Sequence, residues 1–171
     1  MNKLIKTILL FVSIVILIYV TFPSPGFPTP PPDSEQSTEP ADTESSLRRA
    51  YFTNLSREEV INHYRLQFNN KLGFPTLRLN YPPEESQSII RDQTKSTYLE
   101  ELAHPLRESI YINGFEPRSE KDTIVINGRK WEQKIIIRYV PSTVIIRLVI
   151  TCLTIVLSYL LMREYTYAKR H

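Results

Sequence analysis

The residues best suited to metal chemistry are two adjacent glutamates and a nearby histidine, Glu100, Glu101 and His104. Glu101 and His104 have the E-x-x-H spacing, which on a helix directs a carboxylate and an imidazole toward one metal ion. A dinuclear centre needs two such motifs, whereas a mononuclear centre needs His63 as a third ligand from elsewhere in the fold. Because Pro105 follows at once and the local pattern is that of a strand, we expect both glutamates on a wet surface and the histidine in a bend.

No other pattern in the sequence points to catalysis. Cys152 is the single cysteine and falls in an apolar run, where a thiolate is strongly disfavoured. Neither G-x-S-x-G nor S-x-x-K occurs, and the glycines do not cluster into a phosphate-binding loop. The acid pairs Glu58/Glu59 and Glu84/Glu85 occupy first helical turns, where they cap helices. We therefore predict that the chain is not an enzyme, with no catalytic, cofactor-binding or metal-binding residues.

Two long apolar segments, residues 4–22 and 144–162, lie near the ends of the chain. As helices of about 19 residues they would each rise about 28 Å, close to the ~30 Å hydrocarbon core of a bilayer. We predict two transmembrane helices, with Ser142 as N-cap of the second. Residues 1–3 then form a cytoplasmic N-tail and residues 163–171 a basic cytoplasmic C-tail.

The first of these helices is predicted to be an uncleaved signal anchor. Lys3 and Lys6 would also suit a cleavable signal peptide, but Pro23 and Pro25 follow the run instead of a small-residue cleavage site. In the second helix, Arg147 is the only charge. Its long stem can carry the guanidinium to the lipid headgroups, and the alternative is a pairing with an acid on a partner helix.

The charge distribution predicts the orientation in the membrane. The chain carries 21 Lys+Arg and 18 Asp+Glu, a net charge of +3, yet acids slightly outnumber bases within residues 23–143. Since positive flanks stay in the cytoplasm, we predict a plasma-membrane protein with both termini cytoplasmic and residues 23–143 extracytoplasmic. The basic excess is thereby explained without a nucleic-acid partner, and we predict none.

Residues 23–46 are predicted to be a Pro-rich disordered linker. The segment contains more than half of the 13 prolines, separated by small polar and acidic residues, and no apolar pattern recurs in it. Such a composition favours extended, unpacked chain. We interpret it as a tether between membrane and domain; a ligand for a proline-binding module and a spacer through a wall layer are the alternatives.

Residues 47–140 are predicted to form one extracytoplasmic domain. Ser56 and Glu59 have capping-box spacing, so a helix begins there, continues in an apolar period of helical spacing, and ends before Gly73. Residues 77–81 alternate as a half-buried strand would, and a Pro-Pro pair then starts a short helix.

Further strands are predicted beyond the short helix. Residues 97–102 and 109–113 have strand character, and residues 123–140 form a hairpin in which Asn127-Gly128 favours a type I′ turn. This order predicts an α+β fold: a small, mainly antiparallel sheet with two helices, flanked by the two transmembrane helices.

The sequence favours a non-catalytic, two-span membrane protein whose extracytoplasmic domain binds a partner macromolecule in the cell envelope. The expected partners are the lipid bilayer and another membrane or envelope protein, contacted through a sheet edge or through Thr154 and Ser158 on the second helix. A wall-anchored carbohydrate- or peptide-binding module is the alternative, and a metal-dependent hydrolase using His63 and His104 is the third possibility. The aromatic side chains available to the binding module are Tyr51, Phe52, Tyr81, Tyr98, Tyr111 and Trp131.

Overall fold

The computed structural model describes residues 3–69, 76–90 and 95–169. Contacts between residues divide the chain into two units. One unit combines Met1–Ser24 with Ser142–His171, and the other is Pro25–Pro141, hereafter the central domain.

In chain order, the elements are α1 (Lys3–Thr21), β1 (Glu35–Gln36), a 3-10 turn (Pro40–Asp42), β2 (Arg48–Thr53), α2 (Arg57–Phe68), β3 (Leu77–Tyr81), α3 (Pro83–Ile89), β4 (Tyr98–Ala103), β5 (Ser109–Phe115), a second 3-10 turn (Glu120–Asp122), β6 (Ile124–Ile126), β7 (Arg129–Trp131), β8 (Gln133–Val140) and α4 (Val144–Ala168).

A six-stranded antiparallel sheet organises the central domain, in the order β1-β2-β8-β5-β4-β3. Strands β6 and β7 form a separate two-stranded ribbon. The last strand in sequence, β8, lies between β2 and β5. The sheet is therefore complete only when the C-terminal strand of the domain has paired. The predicted α+β class with a mainly antiparallel sheet is confirmed.

The first face of the sheet carries the hydrophobic core. Helix α2 packs against this face through Val60, Ile61, Tyr64 and Phe68, all of which are buried. The strands contribute alternate residues to the same core, because side chains of a strand point to opposite faces in turn. These strand residues are Tyr51, Tyr98, Leu102, Ile110, Ile112, Ile135, Ile137 and Tyr139.

The second face of the sheet is covered only in part. The 3-10 turn at Pro40–Asp42 packs against β2, and α3 packs against β4. Near the C-terminal end of β8, one row of cross-strand neighbours crosses this face and is partly accessible to solvent. From β2 to β3, the row consists of Arg48, Arg138, Tyr111, Glu101 and Leu79.

Two local signals act as the sequence predicts. The Ser56 hydroxyl accepts a hydrogen bond from the Glu59 N–H, and the Glu59 carboxylate accepts one from the Ser56 N–H at 2.8 Å, which is a complete capping box. The hydrogen bonds from Ser56 also lower the pKa of the Glu59 carboxyl. Asn127 and Gly128 both have positive φ, 50° and 78°, as a type I′ turn requires.

One prediction about burial is wrong. The alternation predicts that Leu77 and Leu79 of β3 lie on the buried face of a half-buried strand, but they are 51% and 40% exposed. Strand β3 lies at one edge of the sheet, and alternation along a sequence does not reveal whether a strand will be covered. The predicted helix stop at Gly73 lies outside the described residues.

The prediction of a disordered linker also differs from the structure. From Pro25 onward the segment belongs to the central domain. Phe27 packs against the core, the Thr29 N–H and hydroxyl each donate to Gln67 Oε1 at 2.8 Å, and Glu35–Gln36 pairs with β2. A few well-placed contacts are sufficient here, because proline has already restricted the unfolded chain and less entropy is lost on ordering.

A buried ion pair fastens the end of this segment to β8. Asp42 Oδ2 lies 2.7 Å from Lys134 Nζ and accepts a hydrogen bond from Ser37 Oγ at 2.6 Å. Glu39 contacts the same ammonium at 2.8 Å. Burial alone would lower the pKa of Lys134, but the hydrogen bonds to Asp42 and Glu39 outweigh it and the pKa is raised.

We expect Asp42→Asn to lower the free energy of unfolding by about 2 kcal/mol, because it leaves a largely buried ammonium with less compensation. The measurement is denaturant unfolding of the full-length protein in detergent, followed by fluorescence of Trp131, which is the only tryptophan and is buried. The control Glu44→Gln changes an exposed side chain of the same segment. It should change the free energy of unfolding by less than about 0.5 kcal/mol. If both variants lost the same free energy of unfolding, the stabilising role of the Asp42–Lys134 ion pair would be contradicted.

Helices α1 and α4 are each long and apolar enough to cross a membrane. They pack against each other, and Ser24 Oγ donates to the Ser142 carbonyl at 3.3 Å, so the end of α1 meets the start of α4 and the helices run antiparallel. The predicted N-cap is shifted by one residue: Thr143 is the N-cap, with no capping side-chain hydrogen bond within the described chain.

Arg147 at the start of α4 is buried, and its Nη2 donates to Ser24 Oγ at 3.2 Å. The hydroxyl of a neighbouring chain segment therefore contacts the guanidinium. A lipid headgroup and an acid on a partner helix stay predictions for this side chain.

Candidate functional site

The residues of the E-x-x-H motif do not converge. They lie on strand β4 and in the turn after it, where positions three apart point to opposite sides, whereas on a helix they would share one side. Glu100 and His104 lie toward the first face and Glu101 lies toward the second. Within the described residues, no group of three His, Cys, Asp or Glu side chains is arranged to hold a metal ion.

Glu100 forms a buried ion cluster between the sheet and α2. Its carboxylate contacts the Arg57 guanidinium at the start of α2, and Arg78 Nε of β3 at 3.0 Å. Burial alone would raise the pKa of Glu100, but the hydrogen bonds and charges of the two arginines outweigh it, so the pKa lies below its usual value. A carboxylate held in this way joins three elements and is ill suited to proton transfer.

Glu101 anchors a second network on the opposite face. Its Oε2 accepts a hydrogen bond from the Tyr81 hydroxyl at 2.6 Å, and its Oε1 accepts one from Ser109 Oγ at 2.7 Å. The bond to Glu101 raises the pKa of Tyr81 to about 12. Burial and then the Glu101 charge raise the pKa of the neighbouring Tyr111. Both phenols therefore stay protonated near neutral pH.

His63 and His104 both have structural partners. His104 is buried, stacks on Phe68 with ring centroids 4.2 Å apart, and places Nδ1 2.8 Å from Glu108 Oε1. His63 is on α2, where Nε2 lies 2.7 Å from Gln67 Nε2 and 3.3 Å from the Thr29 carbonyl oxygen. His63 therefore helps to fasten the Pro-rich segment to the domain.

The aromatic side chains considered for a binding platform are mostly in the interior. Tyr51, Phe52, Tyr98 and Trp131 are buried. Tyr81 and Tyr111 are partly exposed, and they belong to the Glu101 network. The six residues therefore do not form a stacking surface together.

The outer side of β3, hereafter the β3 edge, is the first surface with binding potential. No other strand of the described chain pairs with this side of the sheet. Leu77 and Leu79 project from it on the second face, while Arg78 and Asn80 project on the first. An unpaired strand edge offers backbone donors and acceptors to another extended chain.

A groove at the end of the sheet where β8 finishes is the second such surface. It is lined by residues 44, 45, 47, 48 and 138–141 and has a volume of about 810 Å³. Arg48 and Arg138 stand directly opposite each other there on β2 and β8. Sequence reasoning missed this pair, because nothing along the chain relates two residues whose strands meet only through tertiary pairing.

The comparisons with known proteins give no relative to guide the assignment. No protein-family model, curated protein or solved structure matches this chain significantly. The two surfaces and the two apolar helices are therefore the features from which a function can be inferred.

Proposed function

We propose that this chain is a two-span membrane protein whose central domain stands outside the cytoplasm and binds a partner protein through the β3 edge. The membrane part is supported by the length and apolar character of α1 and α4. The orientation is supported by the basic residues near both chain ends and by the antiparallel packing of the helices, which puts both ends on one side.

The β3 edge is the observation that carries the binding part of the proposal. Natural sheets blunt exposed edges with short strands, charges or a covering element, because an open edge recruits other chains. Here the edge strand has five residues and shows two exposed leucines on the same face. A partner strand would gain backbone hydrogen bonds from the edge, and its apolar side chains would pack beside Leu77 and Leu79.

The orientation can be tested with cysteine labelling in intact cells. The native Cys152 is first replaced by alanine, and a single cysteine is then introduced by Glu120→Cys in the domain or Lys169→Cys near the C-terminus. We expect a membrane-impermeant maleimide to label the domain position at once, and the C-terminal position only after permeabilisation. The opposite pattern would overturn the proposed orientation.

Partner binding can be tested by photo-crosslinking of the full-length protein in its native membrane. A photoreactive amino acid at Leu79 is expected to give one discrete adduct, whereas the same group at Val125, which is 57% exposed on β6, should give none. Leu77→Lys, made in the same background, should abolish the adduct, because lysine at an edge discourages strand addition. The free energy of unfolding of this variant, reported by Trp131 fluorescence, should stay within about 0.5 kcal/mol of that of the parent. Equal adducts at both positions, or none at Leu79, would contradict the proposal.

A further inference from the structure

We propose that Arg48 and Arg138 form a binding site for a phosphate-bearing anion. The two residues are direct cross-strand partners, so their side chains leave the same face of the sheet side by side. Like charges at opposite positions repel each other and destabilise a sheet. An anion between the two guanidinium groups would remove that repulsion.

Both guanidinium groups have hydrogen-bond donors to spare. Among the described residues, Arg48 makes one ion pair, to Glu44 at 3.9 Å, and the Glu44 side chain is 75% exposed. Such a pair contributes little, because water competes for it. Arg138 has no ion pair or side-chain hydrogen bond within the described part of the chain. By contrast, Arg57 and Arg78 are both committed to Glu100.

The groove around the pair fits an organic phosphate in size and chemistry. Its volume of about 810 Å³ lies within the ~300–1,000 Å³ range of small-molecule sites. Guanidinium groups bind phosphate in bidentate fashion, which favours this anion over a halide. Ser45 also lines the groove; its Oγ accepts the Leu47 N–H at 3.1 Å, which leaves the hydroxyl hydrogen able to donate. Among the described residues of the lining, Glu44 is the one carboxylate, so two positive charges face one negative charge there.

The phosphate can come from two sources. Arg138 precedes Val144, the first residue of α4, by six residues, so chain length alone keeps them within about 20 Å of each other. If α4 crosses the membrane as proposed, anionic lipid headgroups are within reach, and the lipid source rests on that proposed function. A free phosphate compound in solution would need no membrane.

The test uses the full-length protein in neutral detergent, titrated calorimetrically with two probes: inorganic phosphate and dihexanoyl phosphatidylglycerol. We expect at least one of them to bind, and Arg138→Gln to weaken binding about tenfold or more by removing a charged hydrogen-bond donor. The control Arg118→Gln alters an exposed arginine that does not line this groove and should leave affinity unchanged. Binding of inorganic phosphate with equal or higher affinity points to a soluble ligand, and a clear preference for the lipid points to the headgroup.

A second readout separates ligand binding from a folding role of Arg138. Added phosphate or lipid should raise the thermal midpoint of the parent, reported by Trp131 fluorescence, and should not raise that of Arg138→Gln. Without ligand, the midpoint of the variant should equal or exceed that of the parent, since a like-charge contact has been removed. The proposal is overturned if neither probe binds, or if the variant binds as tightly as the parent. Because neither probe requires an intact cell, a negative result here is distinguishable from a failed orientation test.

Discussion

Replacing Gly114 by alanine is expected to lower the free energy of unfolding of the central domain by about 3 kcal/mol, the upper end for overpacking a core. Gly114 on β5 is the cross-strand partner of Tyr98 on β4, and a Cβ at this position would overlap the Tyr98 ring. The ring cannot easily turn away. It is buried, its hydroxyl donates to Gln133 Oε1 at 2.8 Å, and the Arg57 guanidinium lies 4.9 Å from its centroid.

Unfolding of the detergent-solubilised full-length protein, followed by Trp131 fluorescence, measures this loss. Gly26→Ala is the matched control, since a Cβ there meets nothing within 4 Å. The steric cause can be isolated with Tyr98→Ala, in whose background Gly114→Ala should have little further effect. If Gly114→Ala were equally harmful with and without the ring, overlap with Tyr98 would not be the reason.

Glu100→Gln is expected to destabilise the domain by about 2–4 kcal/mol. The carboxylate is fully buried, while the two arginine side chains that contact it are about one third exposed. Removing its charge leaves Arg57 and Arg78 close together with no carboxylate between them, and breaking a buried pair costs more than the pair itself contributes. The loss is spread over three elements, because Arg57 begins α2 and Arg78 lies on the edge strand.

Glu100→Gln should also make the free energy of unfolding depend less on pH in the acid range. The pKa of Glu100 is lower in the folded protein than in the unfolded chain, where it is close to the ordinary glutamate value of 4.5. Its contribution is therefore fully present above about pH 5 and is lost as the pH falls through 4.5 toward the folded pKa, since the unfolded chain then binds the proton first.

Denaturant unfolding between pH 3 and pH 7, again reported by Trp131, compares the parent with Glu100→Gln and with the exposed control Glu120→Gln. The difference between the parent and Glu100→Gln should be largest at pH 7 and should shrink as the pH falls below 4.5. The control should follow the parent throughout. A difference that stays constant with pH would mean that the lost stability comes from packing and not from the ionised carboxylate.

Local signals in the sequence predicted much of the central domain. The Ser56–Glu59 capping box and the Asn127-Gly128 turn each depend on neighbours a few residues away, and each is found as predicted. The hairpin predicted around that turn is shorter than expected, because only Arg129–Trp131 pairs across it and Gln133–Val140 joins the six-stranded sheet. The apolar runs near the chain ends likewise form single helices, because their length and composition favour helix with little help from other contacts.

The functional residues could not be predicted in the same way. The E-x-x-H spacing is meaningful on a helix, but β4 turns Glu100 and Glu101 to opposite faces and gives each its own partners. The Pro-rich segment was expected to be disordered, yet it is held by Gln67 and Lys134, residues far away in sequence. In each case the deciding contact joins elements that chain order does not relate.

By itself, therefore, the sequence determined the types of the elements, most of their limits, and the presence of two helices able to span a membrane. Only the tertiary structure decided which strand stands at the edge with Leu77 and Leu79 exposed, and that Arg48 faces Arg138. The physical reason is the range of the interactions. Caps, turns and apolar periodicity act over a few residues, whereas strand order is set by burial of the whole sheet, in which β8 pairs with β2 about 90 residues earlier in the chain.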